Sequence, residues 1–417
     1  MNTDSAERQA APVPAELVRR ILATHIQPLL PGSTMLDPVP GTRDVRPQVV
    51  YDTKNRLKID CPRDIGMSFM FQRRVPFCEE ERVLVEVIIN EIHRGRLLSG
   101  ADLADIAGEA VTTAIAGKIA PENPETLLRV IHIYEQWACR ACESANALHT
   151  TGILLTQHRK ARYSIFSPGE QRVLTALGSS RDTLLVIDAG GGVLGVEKLS
   201  PQSSREKDRQ DLFAPVRHAS VADWTTSRRK AAVRLAEGGA ILLFAGRRLL
   251  FVKRDGFWHG LPHSLIDLET VLVNDEIKTD TARAVYLTAL DLAAEKTAIA
   301  VGLIRKAGET YAPAILRKAG LRFSPDIATH NAGLVASVLK AKNFSEIPRA
   351  VRAELCAPGG TLILDSRGTI LGLEFSGKDQ QSGDAFPLLP GEGMSFWDKC
   401  YTELVNSGCL GVRLTIC

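Results

Sequence analysis

The chain has 417 residues, enough for two or three domains. Its 45% hydrophobic and 24% charged content is that of a globular protein, and a net charge of +3 is too small by itself to imply a nucleic-acid coat or a membrane surface. No apolar run is long enough for a transmembrane helix and the polar start MNTDSAERQAAPVPAEL lacks a secretory core, so a cytoplasmic protein is expected.

Residues 1–14 read as a polar tail. Residues 15–31 begin as an amphipathic helix that Pro28 and Pro31-Gly32 stop, and 32–47 read as a loop. Short strands are expected within 48–77. Three helices then follow, at 79–98, 101–117 and from Asn123 to about Leu148, with Ser99 and Asn123 as candidate caps. Glu79, Glu80 and Glu81 open the first of these, where negative charge complements the helix dipole, and read as surface charge rather than a metal box.

The eight cysteines are spaced too irregularly for a disulfide framework. Cys139 and Cys142 form a single CxxC on one face of the third helix, with His132 and His149 as the nearest further ligands. A structural zinc site wants a second cysteine pair, so helix packing is the plainer reading.

A basic passage at 156–166 leads to an expected helix at 168–178. Residues 181–256 carry the most information. RDTLLVIDAGGGVLGVEKLSP reads as a strand, a Gly190-Gly191-Gly192 turn and a second strand. A polar insertion at 200–223 follows. TTSRRKAAVRLAEGG then predicts a helix over 229–237, its free N–H groups capped by the hydroxyls of Thr225-Thr226-Ser227. A helix start beside Arg228, Arg229 and Lys230 is an anion site in principle. Two more strands flank a basic turn at Gly246-Arg247-Arg248.

This order of elements resembles the diadenylate cyclase domain of the DNA-integrity-scanning cyclase family, over residues 165–262. The family has Asp-Gly-Ala at the first strand, a Gly-Thr-Arg-His-Arg-Ala-Ala turn, and a strand ending in Ser-Glu-Glu. Here Asp182-Thr183-Leu184 stands at the first motif and Thr226-Ser227-Arg228-Arg229-Lys230-Ala231-Ala232 at the second. Phe244-Ala245-Gly246-Arg247 replaces the acidic third. The resemblance implies an α/β fold with a mixed sheet. The lost acidic pair removes metal ligands and adds cations, which points to a pocket that holds phosphate without turning it over.

Further along, Trp258, His259 and His263 could face a base, although a buried aromatic closing the domain is the plainer reading. Residues 279–306 read as helical, with 298–304 ambiguous between helix and strand. Short helices interrupted by prolines are expected over 310–356. His330 and Asn331 fall in a turn-like segment without a nucleophile partner. The stretch GGTLILDSRGTILGLEFSG at 359–377 echoes DTLLVIDAGGGVLGVEKLS at 182–200, and a helix and terminal strand are expected after it. Either 350–417 is a second, truncated cyclase-like half, or both stretches share the common vocabulary of Asp-Gly turns.

The organisation expected is therefore an α-rich N-terminal module with a small sheet (1–155), a mixed-sheet cyclase-like domain (165–265), a helical connector (275–350) and the duplicate half (350–417). The function expected is a non-catalytic sensor of a nucleotide or cyclic dinucleotide. Asp182 would meet a ribose hydroxyl, and Gly190, Gly191, Gly192, Thr226, Ser227, Arg228, Arg229 and Lys230 would hold phosphate. An active cyclase, with Mg²⁺ or Mn²⁺ held by Asp182, Asp188 and Glu197, is the first alternative. An interaction protein with a decayed pocket is the second, and a sugar-kinase-like phosphate loop at Asp188-Ala189-Gly190-Gly191 a weaker third. Neither membrane nor nucleic acid is expected as a partner; a second copy of the chain or a signalling protein is.

Overall fold

The computed structural model describes residues 14–41, 46–62, 65–73, 75–98, 102–141, 149–157, 161–167, 169–170, 182–199, 214, 216–236, 239–261, 277–293, 299–304, 306–311, 314, 343–356, 360–375 and 410–416. The chain divides into two compact units, Met1–Ser200 with Trp224–His263, and Pro201–Asp223 with Ser264–Cys417. Both mix α and β structure. Among the described residues no helix is long and apolar enough to cross a membrane.

The first unit starts with helix α1 (Ala15–Ile21), which relaxes into a π turn at Leu22–Ile26 and a 3-10 turn at Gln27–Leu29 containing Pro28. An antiparallel sheet of β1 (Thr34–Met35), β2 (Val39–Pro40), β3 (Gln48–Thr53), β4 (Arg56–Asp60) and β5 (Met67–Gln72) follows. Its order is β1-β5-β4-β3, with β2 also on β5. Leu57, Ile59, Phe69 and Phe71 turn one face of it into the core. Helices α2 (Glu79–Leu98), α3 (Leu103–Ile119) and α4 (Pro124–Ala141) come next, where the sequence places them.

Local details differ from expectation. Asp102 caps α3 by accepting from Ala104 N at 3.1 Å; Ser99 lies outside the described residues. Asn123 donates its amide to Leu155 O at 2.7 Å, tying α4 to the next strand. Glu81 is not surface charge. It is 3% exposed, takes both guanidinium nitrogens of Arg73 at 2.7 and 2.5 Å, and accepts from Cys78 N. Burial, and then that carboxylate, pushes the Cys78 thiol up to about 11.

The second sheet of this unit has seven strands in the order β12-β11-β10-β9-β6-β7-β8. They are β6 (His149–Leu154), β7 (Thr183–Asp188), β8 (Val193–Lys198), β9 (Lys230–Leu235), β10 (Ile241–Ala245), β11 (Arg248–Arg254) and β12 (Phe257–Gly260). Only β6 and β7 pair in parallel; the remaining neighbours are antiparallel. Two expectations fail here. β6 binds both β7 and β9, so the boundary expected between 155 and 165 falls inside one sheet. The helix expected over 229–237 is strand β9. Ala231, Ala232, Val233, Arg234 and Leu235 are all buried, so the segment is covered on both faces, and tertiary burial overrides the helical preference of its alanines. One core cluster runs from the first sheet and its helices to the inner face of this one.

A short helix, α5 (Ala219–Trp224), lies between β8 and β9 in the chain. The second unit has α6 (Thr279–Ala293) and α7 (Arg349–Cys356), and its strands β13 (Ile299–Ile304), β14 (Gly360–Leu364), β15 (Ile370–Phe375) and β16 (Leu410–Ile416) form a sheet in the order β15-β14-β13-β16. Within the ambiguous stretch 298–304, Ile299–Ile304 is thus a strand at the centre of a sheet, and the region expected as a helical connector supplies it. Arg349 reads the Asp291 carboxylate with two nitrogens, at 2.9 and 2.8 Å, and donates to Ala214 O at 2.7 Å. Arg352 donates to the carbonyls of Phe344, Ser345 and Ile347. Burial, with Arg349 beside it, lowers Arg352 to about 10. His330, Asn331 and the helix expected between 377 and 409 lie outside the described residues, as do 171–178 of the helix expected at 168–178.

Two measurements probe this fold. Gly191 has φ +83°, and a β-carbon there would lie 2.0 Å from the Phe166 ring. Gly191→Ala should therefore destabilise the chain by about 1–3 kcal/mol, read as a lowered denaturation midpoint; an unchanged midpoint would contradict the turn. His149 is 4% exposed against Trp137, and burial holds its pKa below 6.5. The folded state then prefers neutral imidazole. Its stability is fully present above the unfolded value and is lost as pH falls below it. His149→Gln should flatten the fall in melting temperature between pH 7 and pH 5, and equal slopes would count against this assignment.

Candidate functional site

The register of β6 decides which turns meet. Leu154, its last residue, is opposite Asp188 on one side and Lys230 on the other. The turn after β7, the turn before β9 and the turn between β10 and β11 therefore line one end of the sheet, since Ala245 is opposite both Ala231 and Arg248. Asp182 is not among them. It precedes the first residue of β7, and its carbonyl accepts from Leu199 N beyond β8. Six strand residues put it roughly 20 Å from the Asp188 end.

The glycine turn is closed by its own strand. Asp188, 2% exposed, accepts through Oδ1 from Gly190 N at 2.9 Å and Gly192 N at 2.8 Å. Those N–H groups were expected to approach a phosphate, but they are committed to a carboxylate, and that charge opposes an anion. The same arrangement leaves the phosphate loop expected at Asp188-Ala189-Gly190-Gly191 without donors at 190.

The turn before β9 is exposed at Thr226, Ser227, Arg228 and Arg229. No helix starts there, so the expected row of free helix N–H groups is absent from this position. Ser227 is spent on the turn itself, its hydroxyl accepting from Arg229 N at 3.3 Å and its carbonyl from Lys230 N at 3.0 Å. Arg229 O accepts from Leu155 N at 2.9 Å. What this turn offers an anion is its cationic side chains. Lys230 Nζ lies 4.5 Å over the Trp224 ring, and Trp224 donates its indole N–H to Glu197 at 2.7 Å.

The third turn adds what the sequence reading left out of the site. Gly246 and Arg247 both have positive φ, +58° and +62°, the mirror-image turn that suits a two-residue hairpin. The left-handed conformation disfavours an arginine by about 1–2 kcal/mol. Arg247 N donates to Thr225 through both O and Oγ1 at 3.3 Å, stitching the two basic turns together. Arg228, Arg229, Lys230, Arg247 and Arg248 thus sit on adjacent turns of one sheet end. The dipeptide Gly-Arg between two apolar runs is the signal that marks this hairpin in the sequence.

Other candidates separate. The three carboxylates of the metal alternative do not converge: Asp188 is at one end of β7, Asp182 is at the other, and Glu197 holds Trp224. Among the described residues no group of three His, Cys, Asp or Glu side chains could hold a metal. Trp258 is a core residue, 3% exposed and donating to Thr112 Oγ1 at 3.0 Å; His263 lies outside the described residues. Cys139 is exposed, Cys142 lies outside the described residues, and His132 pairs with Glu109 at 3.3 Å. An apolar cavity of about 50 Å³, bounded by Val18, Leu22, Ile65, Ile89 and Leu103, involves none of the basic turns.

Because the arginine at 247 is held in an unfavourable conformation, Arg247→Asn should leave stability unchanged or raise it by about 0.5 kcal/mol, as asparagine tolerates this region. Chemical denaturation measures it. A loss above 1 kcal/mol would mean that the arginine side chain holds the fold together.

Comparisons with the models of known protein families, with curated proteins and with solved structures found no match for this chain.

Proposed function

We propose that the first unit is a non-catalytic sensor of a phosphate-bearing nucleotide or cyclic dinucleotide, bound at the end of the seven-stranded sheet. The observation that carries this reading is the convergence of Arg228, Arg229, Lys230, Arg247 and Arg248 on turns joined through Thr225. Guanidinium groups meet phosphate oxygens in paired hydrogen bonds, and neighbouring strands at about 4.8 Å let one ligand touch both turns. The resemblance of 165–262 to a cyclase domain supports a nucleotide as the bearer of those phosphates. The separation of Asp182, Asp188 and Glu197 supports binding without turnover, because phosphoryl chemistry would need them around one metal. Asp182, expected to meet a ribose hydroxyl, lies at the far end of β7 from these turns and is not part of the proposed phosphate site.

A thermal-shift screen tests this, with ATP, other nucleoside triphosphates and cyclic dinucleotides, with and without Mg²⁺ or Mn²⁺. A ligand at a hundred times its dissociation constant should stabilise the unit by about 2.7 kcal/mol. Arg228→Ala/Arg229→Ala should remove the shift, and added salt should weaken it in the native chain. Appearance of a dinucleotide product from ATP and metal would replace the sensor with the cyclase. No shift with any of these compounds would leave only the interaction protein.

A further inference from the structure

We infer that the chain contains an internal duplication in which the first copy alone carries the Arg228-Arg229-Lys230 turn of the anion-binding rim, the rim's other turn lying on the β10–β11 hairpin outside both copies. The first copy comprises α4, β6, β7, β8 and β9, and the second α6, β13, β14, β15 and β16. This assignment of binding rests on the sensor reading above; the duplication itself does not.

The two four-strand sets have one topology: β9-β6-β7-β8 and β16-β13-β14-β15, with the single parallel pair at the centre of each. The registers of the β7–β8 and β14–β15 hairpins coincide, while β13–β16 has a bulge at Leu303/Ile304 that β6–β9 lacks. Thr183–Lys198 corresponds to Gly360–Phe375, Leu184–Glu197 to Thr361–Glu374, Val186–Gly195 to Ile363–Gly372 and Ile187–Val193 to Leu364–Ile370. The bulge falls at the same step, between Val186 and Ile187 and between Ile363 and Leu364. On the parallel side Gly152 is opposite Val186 as Gly302 is opposite Ile363.

The turns match atom for atom. Asp365 Oδ1 accepts from Arg367 N at 2.9 Å and Thr369 N at 2.7 Å, as Asp188 Oδ1 accepts from Gly190 and Gly192. Gly191 and Gly368 have φ of +83° and +89°. Upstream, Ile165 N donates to Gly191 O at 3.0 Å and Phe344 N to Gly368 O at 2.7 Å, beside isolated bridges Ser164–Gly192 and Asn343–Thr369. The third residue of each preceding helix is a buried threonine against the turn: Thr126 donates to Ala189 O, and Thr281 packs on Gly368. Turn chemistry alone explains an aspartate closing a glycine turn. It does not dictate a parallel partner, a bulge position or a threonine on a separate helix.

The copies differ where the proposed ligand would sit. Residues 225–230, ending on the first residue of β9, read TTSRRK; residues 405–410, ending on the first residue of β16, read VNSGCL and contain no cation. The second copy has one arginine on its aspartate turn, Arg367, at the position of Gly190.

Calorimetric titration of the full chain with ATP tests the asymmetry, alongside unfolding measurements that test the equivalence. One ATP per chain is expected, lost in Arg228→Ala/Arg229→Ala and unchanged within twofold in Arg367→Ala. Two per chain, or a tenfold loss in Arg367→Ala, would overturn the asymmetry while leaving the rim as a binding site. Absence of binding of ATP and, in repeat titrations, of the cyclic dinucleotides of the screen would overturn the sensor reading and the asymmetry with it. Asp188→Ala and Asp365→Ala should each lower the unfolding midpoint of their own unit by a similar amount. A large loss at Asp188 beside none at Asp365 would overturn the equivalence of the turns.

Discussion

The arrangement of the first unit depends on β6 lying between β7 and β9, parallel to one and antiparallel to the other. A two-residue hairpin cannot join parallel neighbours, so the chain must leave the sheet between β6 and β7 and return. It leaves again between β8 and β9. These two excursions carry the glycine turn and the arginine turn to the same end of the sheet, although residues 188 and 230 are far apart in the chain. A slip of one residue at β6 would turn every side chain of the strand to the opposite face. Ile153 and Thr151, the latter accepting from Tyr134 at 2.9 Å, hold the register by having only one place to go.

At that end, acid and base do different jobs. The buried Asp188 is an internal ligand for its own backbone and shapes a turn. On the neighbouring turns Arg229 and Arg247 are tied through their main chains, to Leu155 and to Thr225. Thr225 is central to this: wholly buried, it takes Arg247 N with both of its oxygens. Positioning by main chain costs less side-chain entropy than positioning by ion pairs.

Much of this was legible in the sequence where the structure is local. The helices at 79–98 and 101–117, the hairpin β7–β8 and the strands β10 and β11 follow from periodicity and turn residues. What escaped was non-local. Lys-Ala-Ala-Val-Arg-Leu has helical propensity, and only its burial between β6 and β10 makes it a strand. His-Thr-Thr-Gly-Ile-Leu follows a long helix with no turn signal, so β6 was hidden in its tail and a boundary was placed beside it. The basic residues were visible from composition, but their gathering was not, because it rests on strand order. Asp182 shows the converse: a position taken from a resemblance lies a whole strand away from the basic turns, a separation visible only once β7 is placed.

Gly260 has a consequence for the edge of the seven-stranded sheet. β12 is the outermost strand of the seven, and such a strand presents unpaired backbone groups to any other chain. A β-carbon at 260 would lie 2.6 Å from Leu29 O, so the glycine admits the 3-10 turn at Gln27–Leu29 directly against the strand. The N-terminal helical segment thereby acts as a cover that denies strand addition on that side. Removal of residues 15–30 would uncover the edge while also taking Leu22, Ile26, Leu29 and Leu30 out of the core, and the damage would show as aggregation.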